Sequence, residues 1–121
     1  MLESLSTGWY SLESDGIRDF RWSSNRSVVS LDSTKNTLRL FMGTDRPDRV
    51  VRFVYNDGKS YEIPSRMGWS YYCVPYNGQS ELVIETEAFT PSNDTRKLGM
   101  MVSELSFADT EDPRDEAYYA T

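Results

Sequence analysis

Thr37-Leu38-Arg39-Leu40-Phe41-Met42 places Leu38, Leu40 and Met42 on one side of an extended chain and Arg39 and Phe41 on the other. Successive side chains of a β-strand point to opposite faces, so a period of two marks a strand with one buried face. The pattern returns in Arg49-Val50-Val51-Arg52-Phe53-Val54-Tyr55, where Val51, Phe53 and Tyr55 share a side. It returns again in Glu81-Leu82-Val83-Ile84-Glu85, where Leu82 and Ile84 face away from Glu81 and Glu85.

Working outward, short runs rich in Val, Ile, Tyr, Phe and Trp alternate with Gly, Asn, Asp, Ser and Pro clusters at spacings of about ten residues. Strands are expected at 8–13, 17–23, 27–32, 37–42, 49–56, 59–63, 69–75, 80–88 and 100–107. Asn56-Asp57-Gly58 is the strongest hairpin signal, since Asp-Gly suits the positive φ angles of a type I′ turn. Asn77-Gly78 is a second, and Pro64, Pro75 and Pro91 fall at strand ends, where a missing N–H costs little. Residues 90–99 have room for one short helical turn, with Ser92 as cap and Gly99 as stop. The expected fold is all-β, an antiparallel β-sandwich of jelly-roll type with about eight or nine strands.

The 121 residues suit one domain, and 13% aromatic content supplies large apolar area to its core. The division expected is an N-terminal extension at 1–7, the sandwich at 8–107 and an acidic, mobile tail at 108–121. Docking of Tyr118 and Tyr119 onto the domain is the alternative for that tail. The start, MLESLSTGWY, lacks the basic and apolar character of a signal peptide. One cysteine, Cys73, precludes an internal disulfide and favours a reducing, cytoplasmic compartment. No run approaches the roughly 18 apolar residues of a membrane helix.

A net charge of −6 argues against nucleic acid as partner, because phosphate binding needs a basic surface. The absence of histidine removes His-based triads, His general bases and His metal ligands together. No cofactor is expected. Cys73, in the apolar Tyr-Tyr-Cys-Val-Pro, reads as a buried thiol with no base to activate it. Asp45, Asp48, Asp57, Asn93 and Asp94 offer loop oxygens, but their spacing is that of ordinary turns and not of a calcium loop. Asn25-Arg26-Ser27 and Asn93-Asp94-Thr95 match the glycosylation sequon, as many unmodified chains do.

Aromatic residues and arginines carry the functional reading. Trp9, Tyr10, Trp22, Trp69, Tyr71, Tyr72 and Tyr76 cluster in three strand regions. A sugar ring packs its C–H face on an aromatic ring while polar side chains reach its hydroxyls. Arg39 and Arg52 each lie opposite an apolar strand face, beside Phe41 and Val54. The candidate ligand-binding residues are therefore Trp9, Arg39, Arg52, Trp69 and Tyr72. The plainer readings are that Trp22 fills the core and that Arg52 pairs with a nearby Glu.

Gly8-Trp9-Tyr10 with Glu13, Phe20-Arg21-Trp22, Leu38-Arg39-Leu40, Leu82-Val83-Ile84-Glu85, Phe89-Thr90-Pro91 and Asp94-x-Arg96-x-Leu98-Gly99 occur in that order. This order resembles a carbohydrate-binding-module-like accessory domain of bacterial glycosyltransferases and polysaccharide-biosynthesis proteins, over about residues 8–107. The resemblance implies a non-catalytic module that binds a glycan or places a neighbouring catalytic domain. The matching positions are Trp9, Glu13, Arg21, Trp22, Asp94, Arg96 and Gly99. Structural roles are open for several: a Glu13–Arg21 pair across strands, a loop braced by Asp94 and Arg96, a backbone angle at Gly99. No glycosyltransferase domain lies within these residues. The alternatives are a protein-interaction or assembly domain and a small carboxylate-dependent glycoside hydrolase using acids such as Glu13, Glu62, Glu85 or Glu87.

Overall fold

A computed structural model describes residues 2–111 and 117–120. After a 3-10 turn at Leu2–Ser4 come β1 (Glu13–Ser14), β2 (Asp19–Trp22), β3 (Arg26–Ser30), β4 (Thr37–Thr44) and β5 (Val50–Tyr55). They are followed by β6 (Ser60–Pro64), β7 (Gly68–Pro75), β8 (Glu81–Thr86), β9 (Met101–Ala108) and β10 (Tyr118–Ala120). All pairings are antiparallel and form two sheets, a six-stranded β1-β2-β9-β4-β7-β10 and a four-stranded β3-β8-β5-β6. The all-β sandwich read from alternation is the fold.

The alternating residues build the space between the sheets. Leu38, Leu40 and Met42 of β4 are fully buried, with Tyr72 and Val74 of β7 beside them in the large sheet. Phe53, Val51, Leu82 and Ile84 of the small sheet complete the same core. Each such side chain contributes about 1.5–3 kcal/mol by leaving water. Tyr55 of β5 donates its hydroxyl to the Pro75 carbonyl of β7, a polar tie between the two sheets. Burial raises the Tyr55 hydroxyl well above its ordinary value, so it stays a donor.

The β4–β9 ladder shifts register between Phe41 and Met42: Phe41 lies opposite Glu104 and Met42 opposite Val102. Ser103 is the extra residue of a β-bulge, which lets Val102 and Leu105, at odd spacing, both reach the core.

Several expectations need correction. The expected strand at 8–13 reduces to β1, with an isolated Trp9↔Ser23 bridge before it. Residues 5–7 lie along the edge of β3: Leu5 bridges Val29, and the Val28 amide donates to the Thr7 carbonyl at 2.8 Å. The 55–59 hairpin is not type I′, because neither Asn56 nor Asp57 has a positive φ. Gly58, at φ 90°, alone takes the left-handed conformation; its amide donates to the Tyr55 carbonyl at 3.0 Å and the Tyr55 amide to that of Lys59 at 2.8 Å. That is a type I turn closed by a glycine bulge. No helical turn forms at 90–99; Phe89 and Leu98 bridge the ends of that loop through hydrogen bonds of 2.9 and 2.7 Å. The region read as a mobile tail contains β10, and Tyr119 packs edge-on to Tyr72 at 5.1 Å. No helix among the described residues is long and apolar enough to cross a membrane.

Candidate binding face

Register decides what shares the outer face of the large sheet. Opposite the buried side of β4, Arg39 pairs with Cys73, Phe41 with Tyr71 and Gly43 with Trp69. On the other flank Met101, Glu104 and Ser106 of β9 face Gly43, Phe41 and Arg39, and Trp22 of β2 follows opposite Met101. Alternation therefore gathers Phe20, Trp22, Phe41, Trp69 and Tyr71, from three strands, on one face.

Gly43 makes the centre of that face flat. A Cβ there would fall 2.6–2.9 Å from three atoms of the Trp69 indole, so the ring lies directly over the glycine. Covering a strand glycine with a cross-strand aromatic restores the contacts a side chain would have made. Phe41 stacks offset from Trp69 at 5.4 Å and 20°, and Tyr71 follows at 4.6 Å from Phe41. Phe20 meets Trp69 at 6.4 Å and Trp22 edge-on at 6.3 Å, and Trp22 in turn meets Phe89 at 5.8 Å. The rings form a continuous strip, half-buried except at Phe20, which is buried.

Arg46 lies 3.9 Å from the Phe89 ring centre, and two further arginines stand over the Trp69–Phe41–Tyr71 part. The Arg18 guanidinium lies 4.8 Å from the Phe41 ring centre and 5.2 Å from that of Trp69; Arg39 lies 4.9 Å from that of Tyr71. Arg18 is placed by the β1–β2 turn. There the Asp15 carboxylate accepts the amides of Arg18 at 2.8 Å and Ile17 at 2.9 Å, which holds its pKa below the ordinary value. The Tyr71 hydroxyl donates to Glu104 at 2.9 Å, and this bond raises the tyrosine's pKa. Arg39, Tyr71, Ser103, Glu104, Leu105 and Ser106 line a groove of about 370 Å³ at that end of the strip. The bulge at Ser103 thus helps shape the groove as well as the core.

The candidate residues separate in space. Arg39 and Trp69 are brought to one face, linked through Phe41 and Tyr71. Tyr72 is not on it: it is 0% exposed, and its hydroxyl accepts the Arg66 amide at 2.9 Å. Trp9 packs against the core and donates its indole N–H to the Val28 carbonyl at 2.9 Å. Arg52 lies on the opposite sheet, 3.3 Å from Glu85, as the plainer reading had it. Trp22 is half-buried on the outer strip instead of filling the core, a place taken by Tyr72 and Phe53. Arg18, Phe20 and Glu104 were missed. The signal available for Arg18 was Ser14-Asp15-Gly16, a turn that sends the next strand back beneath it.

The motif residues form a brace. Arg96 donates to Glu13 at 2.6 Å and to Asp94 at 2.7 Å, so Glu13 joins Arg96 and not Arg21. The Arg96 guanidinium and the nearby amides hold Asp94 far below the usual carboxylate range. Arg21 donates to the Tyr10 carbonyl at 2.6 Å. Gly99 is in no left-handed conformation. It is required because a Cβ would fall 2.4 Å from both Ser23 Oγ and Thr86 Oγ1. Cys73 is buried. Among the described residues no group of three or more acidic or cysteine side chains is placed to hold a metal. No protein-family model, curated protein or solved structure matches the chain at a significant level.

Proposed function

We propose that this domain is a non-catalytic carbohydrate-binding module whose site is the outer face of the six-stranded sheet. The observation that carries the reading is the Trp69–Phe41–Tyr71 strip, laid over Gly43 and opening on a groove edged by Arg39 and Glu104. Flat rings suit the C–H face of a sugar, and Arg39, Glu104, Ser103 and Ser106 supply donors and acceptors for hydroxyls. A glycosidase needs two carboxylates flanking the bond, whereas among the described residues Glu104 is the single carboxylate in the groove lining. Attachment to a polysaccharide-synthesising enzyme rests on the sequence resemblance alone.

Binding to an open face with few platforms is expected at micromolar to millimolar strength, about −8 to −4 kcal/mol. The test is a glycan array of bacterial surface polysaccharides read with the wild type and with Trp69→Ala. A hit that disappears in a folded Trp69→Ala protein supports the module. A second reading, a face that packs on a neighbouring protein, is favoured by Ile17, 88% exposed in the turn beside Arg18. No glycan hit at millimolar ligand would select it.

A further inference from the structure

Charge on the face narrows the ligand. The chain has 19 acidic against 13 basic residues, and Arg26, Arg49, Arg52 and Arg96 are each ion-paired. Arg18 and Arg39 differ. Their guanidinium groups touch rings, and neither has an ion-pair partner or a hydrogen-bond acceptor among the described residues. The rings hold the guanidinium planes without using their N–H groups. Two pre-positioned cations, their guanidinium N–H groups without an acceptor among the described residues, thus stand over adjacent rings of the aromatic strip, on a chain of net charge −6.

Resting on the module reading, we infer that the face binds an acidic polysaccharide, with Arg18 and Arg39 receiving the carboxylates of uronic-acid residues while Trp69 and Phe41 stack on the sugars. A carboxylate matches the guanidinium fork, and charge-assisted pairs of this kind are the stronger hydrogen bonds of a polar site. Glu104 opposes such a ligand and works against nonspecific capture of anions.

The test titrates the full chain with polygalacturonate, alginate and hyaluronan and with the carboxyl-reduced, neutral form of each. Wild type, Arg18→Gln/Arg39→Gln, Glu104→Gln and Trp69→Ala are compared, each first checked for an unchanged melting transition. The expected result is binding to at least one acidic polymer, about tenfold weaker in the double arginine variant. Glu104→Gln should tighten it, and the neutral form should bind at least about tenfold more weakly. If the double variant does not fold, the wild type at about 50 and 500 mM salt serves instead, where affinity for the acidic polymer alone should fall. Equal, Trp69-dependent binding of the neutral form overturns the inference and leaves the module standing. Acidic binding that ignores the arginines overturns it too. Failure to bind any acidic polymer overturns it, and the array then decides whether the module reading falls with it.

Discussion

A single position separates Tyr71 from Tyr72, and burial divides them. Tyr72 is enclosed by both sheets while Tyr71 carries the groove. Tyr72→Ala should therefore cost about 3–5 kcal/mol in denaturant unfolding, as large-ring deletions in cores do. Trp22→Ala, at a half-buried place, should cost about 1–2 kcal/mol, nearer the middle of the range for single substitutions. The sequence alone favoured the reverse order, because ring size points to Trp22 while only burial distinguishes them. Gly43→Ala is the sharper probe of the face. Its methyl would lie 2.6 Å from the Trp69 ring, so the indole must lift, and intrinsic Trp fluorescence should shift while ligand affinity falls. An unchanged Trp69 environment in that variant would mean that the ring does not depend on the glycine.

Among the elements, the 87–100 loop was the least legible. Its cap and stop residues misled because Arg96, besides bonding Asp94 two residues away, reaches Glu13 of β1, 83 residues away in sequence. Asp94→Asn tests that brace. The folded state holds the Asp94 carboxyl below its ordinary 3.8, so its stabilising contribution is complete above that pH and is lost as pH falls below it. The melting temperature of the wild type should then drop more steeply below about pH 4 than that of Asp94→Asn. Part of the slope should remain in the variant, since Asp15, Asp32 and Asp57 are also held low by hydrogen bonds. Gly99→Ala should destabilise by about 1–3 kcal/mol, because backbone at Ser24 lies 2.6 Å from the new methyl and cannot retreat. By contrast the core strands were read nearly to the residue, since alternation over five or six positions leaves one buried face possible.

At the scale of the whole molecule the two sheets present different outer faces. The small sheet carries a charge-balanced cross-strand row Arg26–Glu85–Arg52–Glu62, exposed but for half-buried Glu85. Exposed pairs of this kind contribute little, so Arg52→Ala should change stability by no more than about 0.5 kcal/mol and leave glycan binding intact. Loss of binding in that variant would move the site to the other sheet. Sequence alone determined the strand count to within about one and the inward residues of β4, β5 and β8, because local alternation and turn chemistry act within a few residues. Tertiary structure decided that Arg39 and Arg52 lie on opposite faces and that Trp69 covers Gly43. It also decided that Arg18 crosses from a distant turn to the aromatic strip. Those outcomes depend on which strand pairs with which and in what register, and pairing is set by packing across the whole core.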